Sequence, residues 1–134
     1  MSKPEYPVAS LPTPSETYGP SDAVALQLEA LETNDDPFEN AGIMTAYNFA
    51  SPANRRSTGP LDRFIAMVES PQYRPMIDFG EAVRGPVERN ENYAEQRVTI
   101  TGPDGRTTTY EFGLSVQSVG KFRGCWQTDR VVVV

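Results

Sequence analysis

The stretch Ala94-Glu95-Gln96-Arg97-Val98-Thr99-Ile100-Thr101-Gly102-Pro103-Asp104-Gly105-Arg106-Thr107-Thr108-Thr109-Tyr110-Glu111-Phe112-Gly113-Leu114 decides the fold. On both sides of its centre the residue character alternates with a period of two, the spacing that sends successive side chains to opposite faces of a sheet. Gly102-Pro103-Asp104-Gly105 interrupts the alternation with residues suited to a tight turn. Two such runs with so short a connection predict an antiparallel pair. The second run continues to Val116 and is the cleanest strand pattern in the chain.

Downstream, a loop through Gly120 leads to a last strand from Cys125 to about Val133. Upstream, Ile77 and Phe79 alternate with Asp78 and Gly80, which predicts a further strand from Met76, broken at Gly85-Pro86 by a bulge or an edge. Before Met76 the period is helical. Leu61, Phe64, Ile65 and Val68 follow Thr58-Gly59-Pro60 at helical spacing, and Ser70-Pro71 stops that helix, with loop to Pro75. An earlier helix is marked by Asp36 as cap, Pro37 in the first position and Glu39 completing a capping box. Phe38, Ala41, Ile43, Met44, Ala46, Tyr47 and Phe49 make it apolar on more than one side, so it is expected to be sandwiched. Ser51 to Ser57 adds one turn. The first helix is capped by Ser21, with Val24, Leu28 and Leu31 as its buried stripe and Gln27, Glu29 and Glu32 pointing outward. Residues 1–20 carry prolines at positions 4, 7, 12, 14 and 20, which forbid a helix and predict a tail or a strap over the domain.

The result is an α+β domain over residues 21–134, with about three N-terminal helices packed on one face of an antiparallel sheet of four to six strands. Thr, Gln and Tyr occupy sheet positions where a fully wet face would carry charge, so the other face is expected to pair with a second copy.

Composition narrows the chemistry. With 134 residues the chain suits one domain, and its formal charge of -6 makes nucleic acid a poor partner. The arginines are scattered apart from Arg55-Arg56 and form no basic stripe. The chain contains no histidine, which removes Ser-His and Cys-His hydrolysis and almost every zinc site. Its single cysteine, Cys125, permits no internal disulfide and reads as a buried apolar residue beside Trp126. No run has the length of a membrane helix and no signal-peptide segment opens the sequence, so a cytoplasmic protein without membrane association, metal or cofactor is expected.

Several segments resemble the nuclear transport factor 2-like, or cystatin-like α+β cone, superfamily. They are Ala25-Leu26-Gln27-Leu28-Glu29-Ala30-Leu31, Phe49-Ala50-Ser51-Pro52-Ala53-Asn54-Arg55, Thr58-Gly59-Pro60-Leu61-Asp62-Arg63-Phe64, Tyr73-Arg74-Pro75 and Gly124-Cys125-Trp126. Within it the chain looks most like an uncharacterised family of prokaryotes and plants. The resemblance implies a strongly curved sheet around the helices and a conical cavity, used for isomerisation, dehydration or ligand binding in some members and for dimerisation in others. It licenses no transfer of an active site.

The candidate cavity-mouth residues are Tyr47, Arg55, Phe64, Tyr73, Arg74 and Trp126. Aromatic side chains supply apolar walls with polar edges, and an arginine would hold a carboxylate or phosphate by forked hydrogen bonds. The first functional reading is a non-catalytic domain that dimerises and binds a small anionic or apolar ligand or a protein partner. The alternative is a lyase or isomerase that uses a buried Asp78 or Asp129 with Tyr47 or Tyr110, since burial would raise the carboxyl pKa toward that of a general base. A third makes the proline-rich segment the working surface of a scaffold.

Overall fold

In the computed structural model, which describes residues 6–134, the period-two runs pair as one four-stranded antiparallel meander in the order β1-β2-β3-β4. The strands are β1 (Glu81–Asn90), β2 (Tyr93–Thr101), β3 (Thr107–Val116) and β4 (Trp126–Val133). Four helices precede them: α1 (Pro20–Glu32), α2 (Ala41–Phe49), α3 (Pro52–Thr58) and α4 (Leu61–Val68), with a single 3-10 turn at Arg74–Met76. The α+β class and the helices-then-meander order are therefore as the alternation required.

One sheet face closes the core. Ala94, Val98, Ile100, Tyr110, Phe112 and Leu114 are buried against Val24, Leu28, Leu31, Ile43, Phe49 and Phe64. α2 is the sandwiched helix, buried at every position but Met44. The opposite face is mainly polar, with Val83, Tyr93 and Val132 exposed on it. Arg97 pairs with Glu111 at 3.3 Å, Arg130 bridges Glu111 and Glu95, and the hydroxyls of Thr99 and Thr109 meet at 2.9 Å. The bulge expected at Gly85-Pro86 is present as a register shift between Arg84 and Val87.

Four local readings are corrected. α1 starts at Pro20, because the Asp22 carboxylate accepts from Gly19 N–H at 2.9 Å, while the Ser21 hydroxyl accepts from Arg84 on β1. Gln27 does not point outward; it is buried and donates to Ala23 O and the Thr128 hydroxyl. α2 starts at Ala41 rather than after Asp36, because its free amides are met from another direction. Buried Asn34 accepts from Ile43 N–H with its side chain at 3.0 Å and from Gly42 N–H with its carbonyl at 2.8 Å. Ile77–Gly80 is not a strand. Asp78 has φ 53, donates its N–H to Leu31 O and accepts from Asn34 N–H, so it closes the end of α1, and the sheet ladder begins afterwards.

Asn34 thus acts as a remote helix cap, and Asn34→Ala leaves Ile43 N–H without its partner. We expect a loss of about 1–3 kcal/mol in urea unfolding, against a few tenths for an exposed control such as Asn92→Ala.

Residues 6–19 form a strap across the end of α2, the loop after β3 and the start of β4. Tyr6, Val8 and Leu11 pack on the domain. The rest of the proline-rich reading, residues 1–5, lies outside the described residues.

Candidate functional site

Between the helices and the sheet lies a cleft of about 250 Å³. Its floor is apolar and buried: Leu31 of α1, Ala46 of α2, Phe64 and Val68 of α4, Met76, and Phe112 of β3. Two buried polar side chains, Gln27 and Thr128, share a 2.8 Å hydrogen bond in its wall. The rim carries Asn54, Ser57 and Thr58 from α3 and Asp129 and Arg130 from β4.

The sheet itself places Asp129 there. β4 bulges opposite Gly113 and Leu114, so Gly113 pairs with Arg130 while Leu114 pairs with Thr128. The extra residue between those partners is Asp129, half-buried at the rim.

Of the six expected cavity-mouth residues, Phe64 and Tyr73 line this cleft. Tyr73 stacks on Tyr110 at 6.0 Å and donates its hydroxyl to Val131 O at 2.7 Å. Tyr47 lies behind the wall, edge-on to Phe64 at 5.3 Å and to Tyr6 at 5.7 Å. Arg55 turns away from the cleft, with its guanidinium carbon 3.4 Å from the Tyr6 ring centre. Arg74 sits in a separate surface groove with Asp35, Glu39, Glu69 and Asp104. Trp126 is buried at the far end of the sheet under Arg89. The six therefore do not form one constellation.

Residues 21–133, from the first turn of α1 to the end of β4, match the family described as Domain of unknown function (DUF4864). The chain belongs to this family. No curated protein and no solved structure matches it.

In this DUF4864 domain the four residues of the proposed carboxylate–tyrosine pairs do not all line the cleft. Asp78 is exposed and holds Asn34 N–H. The Tyr110 hydroxyl donates to Gln72 O at 2.8 Å, and Tyr47 does not line the cleft. Asp129 is the one member of the four that reaches it. Among the described residues no group of three or more His, Cys, Asp or Glu is placed to hold a metal ion. No helix of the described residues is long and apolar enough to cross a membrane. Cys125 is buried, and burial together with Glu16 pushes its thiol up, away from the reactive thiolate.

Sequence reasoning missed Gln27, Asn48, Gln127 and Thr128, all buried and polar. The available signal was a Gln one turn before the Leu31 of an apolar stripe, a position that faces the core whatever occupies it.

Burial raises the phenols of Tyr6 and Tyr73, and that of Tyr110 to about 12 from an ordinary 10.0. Between those values the folded chain keeps a proton that the unfolded chain releases, so this stability is whole below pH 10 and is lost as pH rises through about 12. We expect urea unfolding to lose on the order of 2 kcal/mol across that window through Tyr110 alone. Tyr110→Phe should flatten the decline; an identical decline would show that Tyr110 ionises without penalty.

Proposed function

We propose that this domain binds a small neutral molecule, with an apolar body and one hydrogen-bond donor, in the cleft between its helices and sheet, and performs no chemistry on it. The observation that carries the reading is an apolar floor meeting a few convergent polar groups, the usual make-up of a ligand pocket. A dry cavity of ~150 Å³ accommodates benzene, so about 250 Å³ suits roughly ten non-hydrogen atoms. Asp129 at the rim is an acceptor, and the rim's arginine, Arg130, is engaged by Glu95 and Glu111. Of the anionic and apolar ligands the sequence suggested, this favours the apolar one. The order of helices and meander with a cleft between them also supports a place in the nuclear transport factor 2-like superfamily.

Indole has the required size and donor. Titrated into the full chain, it should shift the methyl resonances of Leu31 and Val68, and Ala46→Leu, which fills the floor, should weaken binding at least tenfold without unfolding the protein. Benzoate should bind more weakly than indole. No indole-dependent shift at millimolar concentration, or binding indifferent to Ala46→Leu, would end this reading.

A second role, self-association through the outer sheet face, draws support from Tyr93 and Val83, which are 66% and 59% exposed there. Light scattering should then report a dimer that Tyr93→Glu converts to monomer. A monomer at every concentration removes it.

A further inference from the structure

The segment between the strap and the cleft is α3, a seven-residue helix with no buried residue. One side of it supplies Asn54, Ser57 and Thr58 to the cleft rim. Another side presents Arg55 to the Tyr6 ring of the strap. It starts at Pro52 and is capped by Gly59, whose φ of +87 is a backbone state that only glycine adopts without strain.

The side-chain ties of α3 to the body are few. Asn54 donates to Thr128 O at 3.1 Å, and Arg55 donates to Ala50 O at 3.4 Å while its guanidinium sits over the Tyr6 ring. Tyr6 itself is firmly seated. Its hydroxyl donates to Asn48 O at 3.0 Å and accepts from the Gln127 amide at 2.7 Å, with Tyr47 and Phe122 edge-on to the ring. The adjoining strap backbone is held by Asn48, which is fully buried. Its carboxamide accepts from Val8 N–H at 2.7 Å and donates to Val8 O and Pro12 O, each at 3.1 Å. A buried amide whose side-chain bonds all go to the strap is a built dock for that strap.

From these contacts we infer that α3 is a lid on the cleft and that the docked Tyr6 latches it shut through Arg55; the assignment rests on the cleft being a ligand site. The floor is buried, so a ligand enters where α3 meets β4, and the lid is the element there with least to hold it. A guanidinium over a partly buried aromatic ring is among the stronger of such contacts, and removing it leaves Asn54 as the chief side-chain tie. Strap docking and cleft occupancy then favour the same closed state, and each strengthens the other.

Hydrogen exchange on the ligand-free full chain tests this. In Tyr6→Ala the amides of Arg55 and Gly59, which bond within α3 and its caps at 2.9 Å, should exchange at least tenfold faster than in wild type. Val8 N–H should lose protection with them, and the β2–β3 amides should not change. Release of Val8 with α3 unaltered overturns the latch. Should Tyr6→Ala fail to fold, Arg55→Gln gives the same reading: α3 faster with Val8 still protected supports the latch, and α3 unaltered overturns it. Because no ligand is present, the result is independent of indole binding. Failure of indole to bind with α3 still responding would sink the ligand reading, and the lid with it, and leave only the coupling of α3 to the docked Tyr6.

Discussion

Gly42→Ala will destabilise the domain by about 3 kcal/mol, although alanine is the better helix former by about 1 kcal/mol. An added Cβ at Gly42 would lie 2.3 Å from the Ala30 carbonyl oxygen and 2.8 Å from its carbon. Both are backbone atoms of α1, so no rotamer change relieves the clash. The Asn34 side-chain oxygen that caps Ile43 N–H is also 2.8 Å from that Cβ. Moving α2 away would weaken the cap as well as the helix contact, and these losses exceed the gain in propensity. Measured by urea unfolding, the variant should lose a large part of a stability that for such domains is about 5–15 kcal/mol. A variant as stable as wild type would show that α1 and α2 do not cross this closely.

Phe112→Ala carries the second large effect. Phe112 is buried on the inner face of β3, and its ring forms part of the cleft floor. Truncation removes the apolar burial of a phenyl group and leaves space that the sheet cannot readily collapse into, because Phe112 is paired on both sides, with Gln96 on β2 and Val131 on β4. Such losses run about 3–5 kcal/mol. The vacated volume adjoins the cleft, so the variant should also admit molecules too large for wild type, and a bound aromatic should restore part of its thermal stability. Phe112→Leu should cost less and admit less. A loss below about 1 kcal/mol would mean that the ring is not packed.

The β2–β3 pair was legible in the sequence because a period of two with a Gly-Pro-Asp-Gly interruption has few other solutions. Helix existence was equally legible, and helix starts were not. Asp36-Pro37 has the chemistry of an N-terminus, but Asn34 meets the α2 amides from the preceding loop, a tertiary contact that local pattern cannot contain. Ile77 and Phe79 alternate like a strand, yet their segment caps α1 instead. Of the expected cavity-mouth residues, Phe64 and Tyr73 line the cleft, while the equally large Tyr47 and Trp126 are buried elsewhere, a distinction that residue type alone cannot make. Asp129 stands at the rim because of a bulge in β4 that the run Trp126 to Val134 does not announce. Arg55 was expected to face a ligand; its partner is Tyr6, 49 positions earlier in the chain, a pairing set by the path of the strap.

If the proposed function holds, the cleft is an apolar cavity able to receive a ligand. Crystals of the full chain under xenon pressure test it most directly, since xenon occupies dry apolar cavities and avoids hydrated ones. A xenon site should appear among Leu31, Phe64, Met76 and Phe112 and be absent in Ala46→Leu. A floor filled by ordered water, or a cleft closed by side-chain collapse with no xenon, would contradict it.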